Sequence, residues 1–134
     1  MTKLRCAIAS FTTVLGCAGA HANAADQVAL ANKLMKAGLA SDISVRIDVG
    51  TERYFPVHET AANGSGDVFD YVCGRGIFEQ PGGMFNGSMH FIIPIRNGSE
   101  RGLTDFDDGQ DPVSKKRFDA KWARRCPGYA LLPW

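Results

Sequence analysis

The chain has no acidic residue before Asp26, and its N-terminal apolar stretch is too short to cross a bilayer as a helix. It has no surplus of charge either. Lys and Arg number 15 against 14 Asp and Glu; setting aside Lys3 and Arg5 leaves 13 basic residues facing the same 14 acidic ones. A domain this close to neutral is not built to hold nucleic acid through bulk charge, and any electrostatic partner has to be met by a local patch. Cysteine is scarce, with Cys6, Cys17, Cys73 and Cys126 alone. Their spacings, taken with His58 and His90, fit no zinc pattern, so neither a metal nor another cofactor is expected. No nucleophile motif accompanies either histidine, and the carboxylates show no arrangement around them, which argues against an enzyme.

What the N-terminus does contain is ordered. Lys3 and Arg5 form a positive start, Cys6 to Leu15 is uncharged and mostly apolar, and Ala20-His21-Ala22 supplies the small-x-small pattern read by signal peptidases. The expectation is a signal peptide over 1–22, cleavage between Ala22 and Asn23, and a single domain over 23–134. A buried N-terminal helix is the rival reading, but the run lacks an amphipathic period. A second processing route is written into Val14-Leu15-Gly16-Cys17, which resembles a bacterial lipobox and would make Cys17 a lipidated first residue. Either route places the protein in the periplasm, outside the cell or on a membrane surface, and leaves Cys73 and Cys126 as the mature cysteines. Two cysteines in an exported domain read as one disulfide.

The mature chain reads as α+β. Asp26 can cap a helix running to about Ala37, with Val28, Leu30, Ala31, Leu34 and Met35 as its apolar stripe and Gly38 as its stop. Ile43 to Val49 alternates as a half-buried strand ended by Gly50. Arg53 to His58 is extended, and Pro56 puts it at an edge. The centre is VCGRGIFEQPGGMFNGSMHFIIPIR, from Val72 to Arg96: two strands around Gln80-Pro81-Gly82-Gly83, the second being the most apolar run of the mature chain. Pro94 brings that strand to an edge or bulge near its end, and His90 falls on the face opposite Met89, Phe91 and Ile93. Asn-Gly-Ser occurs at Asn63, Asn86 and Asn97, each read as a turn.

Asp105-Phe106-Asp107-Asp108-Gly109-Gln110-Asp111 fails the register of a calcium loop and reads as a solvated acidic loop. Asp111-Pro112 then starts a final helix well. Phe118, Trp122 and Cys126 lie on one face, which must turn towards Cys73 and the sheet. Arg117, Lys121, Arg124 and Arg125 gather on the opposite side within about 100° of arc. That stripe is either a solvated face or a binding patch for an anionic surface or acidic partner. The closing Pro127 to Trp134 is too short to span a bilayer and has to dock on the body or in a partner.

Ser41-Asp42-Ile43-Ser44-Val45-Arg46, Val72-Cys73-Gly74, Gly82-Gly83-Met84-Phe85-Asn86-Gly87 and Phe118…Trp122…Cys126 together resemble a group of small exported bacterial proteins. That group carries an Asp-Pro-x-Ser segment, a Cys-Gly followed by a Gly-Gly-Tyr-x-Gly turn, and a closing Trp-x-x-x-Cys. Here Ile43 replaces the proline and Met84-Phe85 stands in the tyrosine region. The resemblance implies a periplasmic, single-disulfide α+β domain. Tyr71-Val72-Cys73 is also similar to periplasmic lysozyme inhibitors, although their Ser-Gly-x-x-Tyr loop does not occur in this chain.

The expected architecture is an N-terminal helix, a small antiparallel sheet of three or four strands, and a C-terminal helix disulfide-bonded to the sheet. The expected function is non-catalytic: an envelope protein that binds another envelope protein or an anionic envelope component, with no nucleic acid and no transmembrane segment in the mature chain. An inhibitor or immunity protein against a secreted enzyme is the alternative, and a small hydrolase the third reading.

Overall fold

Residues of the central hairpin alternate so that both faces of the sheet are apolar, and a sheet of that kind needs cover on both sides. The fold supplies it with one helix per face. The structure, a computed structural model, describes residues 14–48, 50–83, 86–96, 99–100, 104–107 and 111–131, excepting the side chains of 14–23, 99 and 100. Residues 1–13, Val49, Met84-Phe85, Asn97-Gly98, residues 101–103, the 108–110 part of the acidic segment and the tail from Leu132 lie outside them.

Helix α1 (Val14–Gly38) is followed by β1 (Ser44–Ile47), β2 (Arg53–Thr60), β3 (Val68–Glu79), β4 (Asn86–Arg96), β5 (Ser99–Glu100), β6 (Asp105–Asp107) and helix α2 (Pro112–Arg125). The fold is α+β with an antiparallel sheet, as the sequence predicts. The hairpin β3–β4 is its spine, paired from Phe69 opposite Arg96 to Glu79 opposite Asn86. Both β1 and β2 lie along the free edge of β3, β1 beside its second half and β2 beside its first. They are one broken strand. The break at 48–52 is filled by Thr51, whose hydroxyl donates to Asp48 O at 2.8 Å and accepts from Arg75 N at 3.1 Å. On the other edge β6 pairs with residues 90–92 of β4, and β5 with 95–96. Pro94, which has no amide to give, falls in the gap between them.

On one face Val72, Phe78, Met89, Phe91, Ile93 and Ile95 bury against Ala31 and Met35 of α1. On the other Tyr71, Cys73 and Ile92 bury against Phe118, Trp122 and Cys126 of α2 and against Tyr129. Each such large apolar side chain contributes about 1.5–3 kcal/mol by leaving water. Gly74 faces α1 directly opposite Phe91, and a Cβ there would come within 2.8 Å of the Phe91 ring. The missing side chain makes room for that ring. The Cys73–Cys126 disulfide, Cα atoms 6.3 Å apart, fastens α2 to the sheet through the second core.

Helix α2 begins as expected: Asp111 accepts from the amides of Val113 and Ser114, and Pro112 opens the first turn. Behind it the chain turns back at Gly128. The Trp122 indole donates to Tyr129 O, and the Tyr129 hydroxyl donates to Thr51 O. The start of the C-terminal tail is thereby docked on the body, with Arg53 lying 4.6 Å over the Tyr129 ring.

Four readings need correction. Asp26 is not a helix cap: α1 already runs from Val14, because the alanine-rich 18–25 stretch continues the helix upstream. Asn86-Gly87 is not a turn but the start of β4, with the reversal made at Gln80–Gly83 and Gly87 at φ 112°. Asp105–Asp107 is not loop but strand β6, since Phe106 is drawn into the α1-side core against Phe78. The three or four strands expected are six among the described residues, through the break between β1 and β2 and the two short additions β5 and β6.

Two stability tests come from this packing. Cys73→Ala and Cys126→Ala should each cost a similar amount, about 4 kcal/mol for a loop of this length, read by urea unfolding under non-reducing conditions. Gly74→Ala should cost about 1–3 kcal/mol through overpacking against Phe91; an unchanged unfolding midpoint would show that the ring moves aside freely.

Candidate functional site

The groups singled out by sequence for chemistry fall into three places. His90 lies inside the second core. It is 2% exposed, and its Nδ1 stands 4.0 Å from Asp107 Oδ2, itself 3% exposed, while the Trp122 ring meets it edge-on at 5.5 Å. Cross-strand pairing explains the arrangement, because Arg75 and Asp107 flank His90 on the neighbouring strands. A histidine beside a carboxylate can act as a general base only where substrate reaches it. This one is sealed under α2.

His58 is the opposite case, 68% exposed at the rim of β2. Pairing of β2 with β3 slips between Phe55 and Glu59, and His58 takes up the slack at φ 55°. That left-handed conformation costs on the order of 1 kcal/mol in a residue with a Cβ. Asp70 offsets it, accepting from the His58 amide at 2.9 Å and from its Nδ1 at 3.0 Å through the same oxygen. The other Asp70 oxygen accepts from the Tyr54 hydroxyl at 2.6 Å. Burial, with the bond and charge of Asp70 adding to it, pushes the Tyr54 phenol up to about 12. Asp70 therefore works as a staple for a bulge, and among the described residues no serine, threonine or cysteine joins the bonded set.

The third place is the basic stripe of α2. Three of its four members are committed to carboxylates. Lys121 pairs with Asp105 at 2.5 Å, and Arg124 with Glu59 at 3.3 Å. Arg125 reaches both Glu59 at 3.3 Å and Asp105 at 3.0 Å, with its guanidinium 4.7 Å over the Tyr71 ring. Its side chain is only 18% exposed, so the expectation that it points outward is corrected: the sheet surface beneath α2 offers it both an aromatic face and two carboxylates. Burial raises the Glu59 carboxyl, but the bonds and charges of Arg125 and Arg124 outweigh that and hold it below the usual carboxylate range. Arg117 stays exposed, next to the exposed Lys116. The unspent positive charge of α2 thus sits nearer its N-terminal half.

Sequence reasoning flagged His58, His90 and the four cations but not the acids that hold them. Asp70 carried a signal, being a charge set between Phe69 and Tyr71 in an otherwise apolar strand. Glu59 carried none and Asp105 was legible only as part of an acidic segment, because their partner Arg125 lies 66 and 20 residues away respectively. Among the described residues no cluster of three metal-ligating side chains occurs, and no helix is long and apolar enough to cross a membrane. Cys17, Ala22 and Asn23 fall within the backbone of α1. Comparison with protein-family models, with curated proteins and with solved structures gave no match to this chain.

The charge network makes a graded prediction. Arg117→Glu should change stability by no more than about 0.5 kcal/mol. Arg124→Glu and Arg125→Glu set like charge against Glu59 and should destabilise, Arg125→Glu more because it is less exposed. Glu59 should contribute stability above the ordinary glutamate range and lose it as pH falls through its depressed value. Urea midpoints measured downwards from neutral pH should therefore drop further in wild type than in Glu59→Gln.

Proposed function

We propose that the protein is an exported, non-catalytic component of the bacterial envelope that binds another envelope protein or an anionic envelope component. The observation that carries this reading is the Cys73–Cys126 bridge, buried between the sheet and α2. Such a structural bond forms and persists in oxidising compartments. The leader pattern supports the same location. Cleavage would put the protein in the periplasm or outside the cell; use of Cys17 would anchor it to a membrane.

For recognition, both histidine–carboxylate pairs are engaged by the fold itself, and the exposed Lys116 and Arg117 are the cations of α2 that its ion pairs with Glu59 and Asp105 leave unused. A second reading, an inhibitor of a secreted enzyme, is favoured by the bracing of the β3–β4 reversal. Gln80 Nε2 donates to Asp42 at 3.0 Å, and the Asn86 amide bonds both Gln80 N and Gly83 O. A braced turn at the end of a hairpin is the kind of element an inhibitor presents to an active site.

Export is tested by expressing the chain with its own N-terminus in a bacterium and taking the intact mass and thiol content of the periplasmic fraction. A chain beginning at Asn23 with no free thiol is expected. A diacylated Cys17 selects the tethered route, and an uncleaved cytoplasmic chain with titratable Cys73 and Cys126 overturns export. Recognition is tested by co-sedimentation with vesicles of anionic and of neutral lipid and with envelope fractions. Lys116→Glu/Arg117→Glu should weaken binding most at low salt, because exposed charges are screened over about 10 Å at 0.1 M. Equal binding by wild type and variant removes α2 as the recognition surface. Stoichiometric loss of muramidase activity on adding the protein would instead select the inhibitor.

A further inference from the structure

Helix α1 and the break between β1 and β2 meet at a part-buried polar contact. Asn32 Nδ2 donates to Glu52 Oε1 at 3.0 Å. The remaining oxygens of the two side chains, Asn32 Oδ1 and Glu52 Oε2, are both buried and receive no hydrogen bond from the described residues. A carboxylate accepts and never donates, so an ionised Glu52 leaves two buried acceptors with nothing to accept. Turning the Asn32 amide over sets oxygen against oxygen at the 3.0 Å contact and makes matters worse. One proton removes the conflict. A neutral carboxyl has a proton on Oε2 to offer Asn32 Oδ1 while Oε1 accepts from Nδ2, the pairing by which an acid and an amide satisfy each other with two hydrogen bonds.

We propose that the Glu52–Asn32 pair is a pH-sensitive clasp between α1 and the sheet, whole when the Glu52 carboxyl carries a proton. The surroundings favour the neutral acid. The Glu52 side chain lies over Gly74, its Cγ 3.1 Å from where a Cβ would be, in a space shared with the Phe91 ring. Burial raises the Glu52 carboxyl; the Asn32 bond and the charge of Lys36, one turn further along α1, oppose it without cancelling it. The other charges nearby are spent elsewhere. Asp48 and Arg75 pair with each other at 2.6 Å, Arg53 lies over the Tyr129 ring, and the Tyr54 hydroxyl bonds Asp70. The β4 side chain that shares the space over Gly74 with Glu52 is Phe91.

Because the acid is favoured in its neutral form when folded, the clasp is whole below the ordinary glutamate range. It is lost as pH rises through the raised folded value. Each pH unit by which Glu52 is raised corresponds to about a tenfold loss in the folding equilibrium across that window. An exported protein meets changes of external pH directly, and this contact would let them loosen α1 without touching the disulfide-held second core.

The test uses the full oxidised chain. Carboxyl-detected NMR should show Glu52 titrating above ordinary glutamates, and amide exchange in α1 should quicken over the same interval. Urea midpoints from about pH 4 to about pH 8 should fall in wild type relative to Glu52→Gln, whose amide can donate to Asn32 Oδ1 at any pH. Titration of Glu52 at or below the ordinary value overturns the proposal, as do parallel pH profiles for wild type and variant. If Glu52→Gln does not fold, the wild-type carboxyl titration decides alone.

Discussion

Burying both faces of the β3–β4 hairpin is the requirement on which the other elements depend. Odd and even residues of each strand go to different cores, so neither face can be left to water. Helix α1 covers the face of Val72, Phe91 and Ile93, and α2 covers the face of Tyr71, Cys73 and Ile92. The two covers are held differently. Apolar packing and the Asn32–Glu52 contact hold α1, whereas α2 is bonded covalently and ringed by ion pairs. Gly74 belongs to the same requirement, since a side chain there would lift Phe91 and with it the α1 layer.

The charges around α2 show how position changes the meaning of a residue. On a helical wheel Arg117, Lys121, Arg124 and Arg125 form one cationic stripe. In the fold the stripe is cut in two by what lies beneath it. Glu59 arrives from β2 and Asp105 from β6, and the C-terminal half of the helix becomes a fastening. The free charge is displaced towards Lys116 and Arg117. A surface pair contributes little alone, but Arg125 is shielded from solvent, shared between two acids and stacked on Tyr71, so its share exceeds that of an isolated exposed pair.

Local signals carried much of the architecture. Alternation gave β1 and the hairpin, Asp111-Pro112 gave the start of α2, and the four-residue spacing of Phe118, Trp122 and Cys126 gave the face that turns inwards. Only the assembled sheet reveals the rest. That β1 and β2 are one strand depends on Thr51 replacing ladder bonds to Arg75, a contact across 24 residues. That Asp105–Asp107 is a strand depends on Phe106 finding Phe78. Asp26 looked like a cap because capping chemistry is local, while the helix it sits in was decided by the alanine-rich residues before it. At the candidate site the cations and histidines were legible, but their partners come from distant strands and left no pattern in sequence.

The position of the disulfide also sets an order of assembly. Emerging N-terminus first into an oxidising compartment, the chain would present Cys73 and the whole hairpin before Cys126, which lies 53 residues downstream. Until α2 arrives, the face bearing Tyr71, Cys73 and Ile92 is bare and carries an unpaired thiol at its centre. A chain in that state is exposed to sticking and to bridging with a second copy, the hazards of half-made sheets. Late arrival of α2 removes both at once, because the helix that covers the face also brings the sulfur that closes it.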